Sequence, residues 1–342
     1  MPSPSSSSPI RATPMGFARA IVLAYQSRQM DPVHALAAAG LTLNGLNAAD
    51  ANARMTAHQM EALSDAAMRE LDDEALGWFE RPLPWGSYGM LARASLSSPT
   101  LGLAIQRWCR HHALLARGVT LFLHTRGELA TIELVEHRPP GTGGQLREFC
   151  HVSLLRNVLG LSCWYVDSRI PLRGAQMAFS PPSHADAYSV LFDGPTQFDA
   201  AHSAVSFDAA YLALPLRRDE AAMRHMLQRA LPLTVHLYRR DRLLVQRVRS
   251  ALRDRPALTH NADDTATLLG ISVRTLHRQL KDEGASLQGL KDEVRRQRAM
   301  ELLQRTQRPI KQVAQAVGFQ NEKSFSRAFK AWTGKTPGEW RG

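Results

Sequence analysis

The first 235 residues contain no lysine; all six lysines, Lys281, Lys291, Lys311, Lys323, Lys330 and Lys335, lie in the last third of the chain. Other scarcities exclude whole classes of protein. No apolar run approaches the roughly 18 residues that span a bilayer, so no membrane partner is expected. The three cysteines, Cys109, Cys150 and Cys163, are odd in number and far apart, which argues against a disulfide framework. Buried free thiols are the plain reading, since no C-x-x-C pair marks a redox switch. His111, His112, His124 and His151 match neither HExxH nor a Cys/His zinc spacing, so they read as ordinary histidines and no metal is expected. A nucleophile elbow, a Walker loop and a GxGxxG turn are all missing; neither an enzyme nor a bound cofactor is expected. The opening MPSPSSSSPIR lacks both the cationic and the apolar region of a secretory signal. Residues 1–14 are therefore expected to form a disordered tail, and the protein to be cytoplasmic.

Charge carries more information than its total suggests. The chain holds 42 Lys+Arg and 31 Asp+Glu, a net +11. Residues 1–235 hold 20 of each sign, whereas residues 236–342 hold 22 basic and 11 acidic residues. A neutral part joined to a basic part suggests divided labour, with the basic part meeting a polyanion. With 342 residues and 44% hydrophobic content, two domains with real cores are expected.

Periodicity places amphipathic helices at Met15–Gln29, at Val33–Gly40 behind an Asp31-Pro32 cap, at Thr56–Leu71, and after Pro99 as LGLAIQRWCRHHALL. The pattern then changes to period two. VTLFLHT (119–125) and ELATIELVE (128–136) read as a hairpin turning at Arg126-Gly127, with PPGTGG as a following loop. Residues 147–163 return to helical spacing through Phe149, Val152, Leu155, Val158 and Leu159. AQMAFS, AVSFD and YLALPL read as short strands, with a helix near Asp186–Leu191. These strands are too few for an eight-stranded jelly roll, so an α+β domain over residues 15–230 is expected. DEAAMRHMLQRAL reads as a last helix, leading to a linker at 231–240 around Pro232. If this domain binds a carboxylate, arginine has to neutralise it. Arg147 and Arg156 are candidates, beside Trp164 and Tyr165 as walls, although surface arginines are the plainer reading.

The basic part, residues 241–342, reads as entirely helical. Asp241–Arg253 opens it. In Ile310–Arg341 the apolar Ile310, Val313, Ala314 and Val317 define one helix, Gly318 stops it, and Phe319 turns into the core. Asn321 caps the next helix, in which Phe325, Phe329 and Trp332 face inward before Gly334 and Pro337 end it. A helix, a glycine turn and a second helix with basic outward positions form a helix-turn-helix, whose second helix can enter a major groove. ATLLGISVRTLHRQLKDEG (266–284) repeats the design, with Gly270 placed like Gly318. Between the two units LQGLKDEVRRQRAMELLQRT forms a linker helix of roughly 27 Å, compatible with recognition helices one DNA turn of about 34 Å apart. In the first unit Leu276 and Leu280 face the core, which leaves Arg274, His277 and Arg278 outward; Glu322, Lys323 and Arg327 hold equivalent places in the second. Arginine can grip guanine O6/N7 in bidentate fashion and glutamate can accept from cytosine N4, so these six are the candidate base readers. Ser272 and Asn321 at the helix starts, with Lys281 and Lys330 further along, are the candidate phosphate contacts. Merely solvated side chains are the bland alternative.

The residues Ile310, Val313-Ala314, Val317-Gly318-Phe319, Phe325-Ser326-Arg327, Phe329-Lys330, Thr333-Gly334, Thr336-Pro337 and Trp340-Arg341 resemble the signature of AraC/XylS-type transcription regulators. The upstream part has its own resemblance. Asp31-Pro32, Gly40-Leu41, Asp73 to Gly77, Ser98 to Gly102, Phe192, Gly194-Pro195, Phe198 and Leu214-Pro215-Leu216 look like the arabinose-binding-type effector domain of one large AraC subgroup. Thr265 departs from the family pattern, which usually has an apolar residue there, so looser packing of that helix is expected. The resemblance implies a sequence-specific regulator, most simply an activator. Its expected partners are promoter DNA, a small-molecule effector, RNA polymerase and a second copy of itself. The alternative is a sequence-tolerant architectural DNA binder with a ligand-free protein-interaction domain.

Overall fold

The structure, a computed structural model, describes residues 11–138, 144–236, 238, 243–283 and 285–341. The chain divides into two compact units, residues 1–242 and 243–342.

The N-terminal unit opens with a short strand, β1 (Arg11–Pro14), paired antiparallel with β2 (Arg54–Thr56). Residues 11–14 are thus ordered against a distant partner, a pairing that local composition cannot reveal. Between these strands run helices α1 (Met15–Gln26), α2 (Val33–Ala38) and α3 (Leu43–Ala48), the last capped by Thr42, which accepts from Gly45 N. α4 (Ala57–Glu70) starts with a capping box in which Thr56 and Gln59 satisfy each other's free amides. α5 (Ser87–Leu96) and α6 (Leu101–Leu115) follow.

The loop between α4 and α5 is built on one carboxylate. Asp73 is fully buried, accepts N–H bonds from Ala75, Gly77 and Leu83 at 2.9 Å each, and pairs with Arg28 at 2.6 Å. Gly77 is held at φ +83°, and a Cβ there would lie 2.9 Å from that of Ala24. The Asp73–Gly77 motif is therefore a loop organiser, with glycine required by conformation and by space.

Five strands form the main sheet: β3 (Val119–Arg126), β4 (Leu129–Glu136), β5 (Leu172–Gln176), β6 (Thr196–Gln197) and β7 (Ser203–Asp208), in spatial order β3-β4-β7-β5-β6. All neighbours are antiparallel except β5 and β6. The β3–β4 hairpin turns one residue later than the sequence suggests, because Arg126 pairs with Leu129 and Gly127 takes the positive φ, +60°, at the first loop position. Most of PPGTGG lies outside the described residues. Alternation puts Val119, Leu121, Ala130, Ile132 and Leu134 on the covered face.

Against that sheet lies α7 (Gly144–Tyr165), buried along nearly its whole circumference. Such a helix sits at the centre of its domain and shows little amphipathic contrast. Two expected strands come out differently. AQMAFS contributes only its first residues to β5, and YLALPL begins as a 3₁₀ turn over Ala209–Ala213. There Leu101 N donates to the Leu214 carbonyl at 2.8 Å, so extended residues after the turn tie to the start of α6 rather than to the sheet. After α8 (Tyr188–Leu191) and α9 (Glu220–Leu227), the expected linker begins as a helical turn, α10 (Pro232–Val235). α10 packs on α7 where Gly160, lacking a Cβ, lets the Leu233 carbonyl approach.

The C-terminal unit is helical throughout: α11 (Leu244–Asp254), α12 (Ala262–Leu269), α13 (Val273–Asp282), α14 (Leu287–Arg305), α15 (Ile310–Ala316), α16 (Glu322–Thr333) and α17 (Pro337–Arg341). It has two cores, not one. Leu244, Val248, Ala266, Leu276 and Leu280 pack with Leu287 and Leu290 from the first half of α14. Val313, Ala314, Val317, Phe325 and Phe329 pack with Ala299 and Leu303 from its second half. One continuous helix thus belongs to both cores. The architecture is the expected one, an α+β domain followed by an all-α unit with two helix-turn-helix motifs on a linker helix. No helix among the described residues is long and apolar enough to cross a membrane.

Candidate nucleic-acid interface

In the first motif α12 ends at Gly270, held at φ +66°, and α13 begins at Ser272, whose hydroxyl accepts from Thr275 N at 3.1 Å. In the second, Gly318 at φ +84° turns the chain after α15, and Asn321 caps α16 by accepting from Ser324 N at 2.8 Å. The oxygens of Ser272 and Asn321 are therefore occupied as caps. What these positions leave open is the first backbone amides of each helix. Burial of Leu276, Leu280, Phe325 and Phe329 fixes which way each helix faces, and Arg274, His277, Arg278, Lys281, Glu322, Lys323, Arg327 and Lys330 are all exposed.

Many other cations of this unit have structural work. Arg247 donates to the Leu269 carbonyl at 3.0 Å, tying α11 to the end of α12. Arg249 pairs with Glu293 at 2.8 Å, Lys291 donates to the His260 carbonyl at 2.7 Å, and Arg341 reaches the Arg308 carbonyl at 2.6 Å. Arg295 stacks over Phe319, 5.5 Å from its centroid, and so covers the second turn. By contrast, the eight exposed residues named on α13 and α16 make no side-chain hydrogen bond or ion pair among the described residues. Lys330 lies near enough to Glu339 to help hold that carboxyl below its usual range; the charge of the other seven is uncommitted and stands on the outward faces of the two helices.

Sequence reasoning missed several supports. Glu283 caps α11, accepting from Leu244 N at 2.7 Å and Val245 N at 3.0 Å. Thr336 and Glu339 form a capping box at the start of α17, visible in retrospect as T-P-G-E. Thr265 is fully buried, and its hydroxyl donates to the Asn261 carbonyl at 2.7 Å, so the polar residue is satisfied where looser packing was expected.

The N-terminal unit holds a cavity of about 730 Å³, walled by α4, α5, α6 and the stretch Leu227–Thr234. Trp78, Trp85, Tyr88, Trp108 and His112 line it. His112 is 1% exposed and stacks on Trp108 with 5.0 Å between centroids; burial holds its pKa down to about 4, so the ring is neutral. Among the described residues no group of His, Cys, Asp and Glu could hold a metal ion. Neither arginine proposed for a carboxylate lines this cavity. Arg147 is spent on Glu136, and its Nε lies 2.7 Å from that carboxylate. Arg156 is not at the surface: it is 6% exposed, and its guanidinium holds the carbonyls of Leu191 and Thr234, pinning α10 to α7. Trp164 and Tyr165 are buried away from the cavity. The cysteines are buried and free, and burial pushes the Cys109 and Cys163 thiols up to about 12.

Two tandem helix-turn-helix motifs on a shared helix, carried behind an α+β domain, define a DNA-binding protein of the regulator class. Comparison with known proteins agrees. Residues 30–216 match the model of the arabinose-binding domain of AraC transcription regulators, and residues 265–342 match a helix-turn-helix domain. The ornithine utilization regulator of Pseudomonas aeruginosa is 29% identical over 293 residues, covering 85% of each chain. VqsM of the same organism is 33% identical over 98 residues, 29% of this chain and 30% of that one. The crystal structure of CdpR, also from P. aeruginosa, aligns over 95% of this chain and 98% of that one at 18% identity, with a TM-score of 0.34. The chain belongs to the AraC family of transcription regulators.

Proposed function

We propose that the protein is an effector-responsive, sequence-specific regulator, acting as an activator, in which α13 and α16 lie in successive major grooves on one face of the duplex. The observation that carries this is the pair of uncommitted exposed sets on two helices joined through α14, whose 19 residues span roughly 28 Å. A shared helix with one end in each core holds the two readers at a set spacing. Arg274, His277 and Arg278 read one half-site; Glu322, Lys323 and Arg327 read the other. Lys281, Lys330 and the first amides beyond Ser272 and Asn321 take phosphates. The N-terminal domain dimerises and binds a small metabolite, and that ligand acts by favouring one arrangement of the protein on the promoter, where it meets RNA polymerase. The relative named for ornithine utilization supports a metabolite as the kind of signal.

DNase footprinting of the purified protein on DNA upstream of its own and neighbouring operons tests this reading. Two protected half-sites about one helical turn apart are expected. Arg278→Ala and Arg327→Ala should each relax preference at particular base pairs by about 1–3 kcal/mol. Uniform weakening with a flatter salt dependence would instead identify an architectural binder.

A further inference from the structure

The two edges of the main sheet are built differently. β6, at one edge, has two residues, too short to template another strand. β3, at the other, has eight, Val119–Arg126, paired with β4 in an unbroken register. Among the described residues no backbone group outside β4 bonds to the backbone of β3. An open edge of this length invites another strand, and proteins guard such edges with proline, a bulge or charge, lysine above all. VTLFLHTR contains no proline, its register has no bulge, and lysine is absent from residues 1–235. Its one formal charge is Arg126, at the end, while Phe122 in its middle is 42% exposed.

The side chains say what this edge accepts. Val119 and Leu121 are buried and Thr120 is half-buried, whereas Phe122, His124, Thr125 and Arg126 are exposed. The open part is therefore Phe122–Arg126, with His124 at its midpoint. Phe122, His124 and Arg126 stand on the outer face of the sheet, opposite Glu133, Thr131 and Leu129 of β4. Two charges on this face lack an opposite one. Arg126 makes no hydrogen bond or ion pair among the described residues. Glu133 faces only the rings of His124 and His202, at 3.4 and 3.8 Å. Within one chain the two charges are out of reach of each other. Arg126 sits opposite Leu129, and Glu133 lies roughly 13 Å further along β4.

We propose that β3 pairs with β3 of a second copy of this chain, antiparallel about a two-fold axis at His124, so that two five-stranded sheets become one continuous sheet. This rests on the reading of the N-terminal domain as the dimerising one and adds the strand and its register. The axis gives an isologous contact, the commonest arrangement of homodimers. It sets His124 opposite the partner's His124, and Phe122 opposite the partner's Arg126. Glu133, Phe122 and the partner's Arg126 then form one row across three strands, at about 4.8 Å spacing. The guanidinium lies over the ring and extends to the carboxylate, and the axis repeats the row on the other side. Outward amides and carbonyls alternate along a strand, so the paired segment closes about four to six backbone hydrogen bonds. Moving the axis one residue, to Leu123, would set Arg126 opposite the partner's Thr120 and lose both rows.

Sedimentation equilibrium of the full-length protein tests the pairing, with circular dichroism to show that each variant is folded. Wild type should form a reversible dimer. Arg126→Glu and Glu133→Arg should each weaken it about tenfold, and the double variant should return to within about threefold of wild type, because the swapped charges meet only across the axis. A second measurement needs no charge change. His124→Cys should give a covalent dimer on mild oxidation, since residues directly opposite in an antiparallel pair lie within disulfide reach. Thr120→Cys, which this register places away from its own copy, should not. The native cysteines are buried and leave the background low. A monomeric wild type, a dimer indifferent to both single variants, a double variant no better than the singles, or equal crosslinking through the two introduced cysteines overturns the inference. Footprinting of the same preparations separates the two readings: a footprint made by a wild-type monomer sinks only this pairing, and a dimer that behaves as expected but protects no DNA sinks only the regulator.

Discussion

Replacing His112 with leucine should make the N-terminal unit less sensitive to mild acid. In the folded chain burial holds this imidazole to a pKa of about 4, against an ordinary value of 6.5. The folded value is the lower one, so below pH 6.5 the unfolded chain takes up a proton that the folded chain refuses. Stability therefore falls as pH drops from 6.5 toward 4 and levels off below that. The loss amounts to about 2 kcal/mol at pH 5 and about 3 kcal/mol at its limit. Leucine cannot protonate, and both imidazole nitrogens lack partners, so at pH 7 the substitution removes no hydrogen bond. Urea unfolding followed by tryptophan fluorescence at pH 7, 6 and 5 measures the difference. The wild-type midpoint should fall further than that of His112→Leu by roughly 0.7–1 M between pH 7 and 5. Other titrating groups are common to both proteins and cancel. Parallel decline of the two midpoints would show that His112 is not held neutral by the fold.

Four further outcomes follow from the geometry. Glu136 is pushed up by burial, but hydrogen bonds from His151 and Arg147 outweigh this and hold it at about 2, below its ordinary 4.5; Glu136→Gln should therefore lower stability at pH 7, with the difference from wild type vanishing as pH falls from 4.5 to 2 in an acid-unfolding series. Asp73→Ala leaves three loop amides and Arg28 without their acceptor and should cost about 3–5 kcal/mol, read as a large drop in melting temperature. Gly318→Ala meets nothing closer than 3.6 Å, so its cost is the left-handed backbone alone, about 1–2 kcal/mol in thermal unfolding of the C-terminal unit. Phe325→Ala empties the centre of the second core at about 3–5 kcal/mol, and its footprint should shrink to the half-site read by α13.

The helix-turn-helix motifs were legible because their signals are local. Gly270 and Gly318 need positive φ, Ser272 and Asn321 cap the helix that follows within three residues, and the apolar spacing decides which faces are left for Arg278 and Arg327. The net-neutral upstream domain was legible in outline for the same reason, through alternation in β3 and β4 and stripes in its helices. Failures came where partners are remote. β1 needs β2 to be a strand at all, YLALPL looks extended but begins as a turn and then ties to the start of α6 through Leu101 N and the Leu214 carbonyl, and α7 shows no polar face because structure surrounds it.

The functional contrast follows the same division. Composition, periodicity and capping determined by themselves that this chain ends in two basic helix-turn-helix units behind an α+β domain, since each of those features is written within one turn or one strand. Only the tertiary structure decided that α14 serves two cores, that Arg156 holds carbonyls rather than a ligand, and that Trp78, Tyr88, Trp108 and His112 line one cavity. Those facts depend on which distant segments meet, and the pattern along a single segment carries no record of what packs against it.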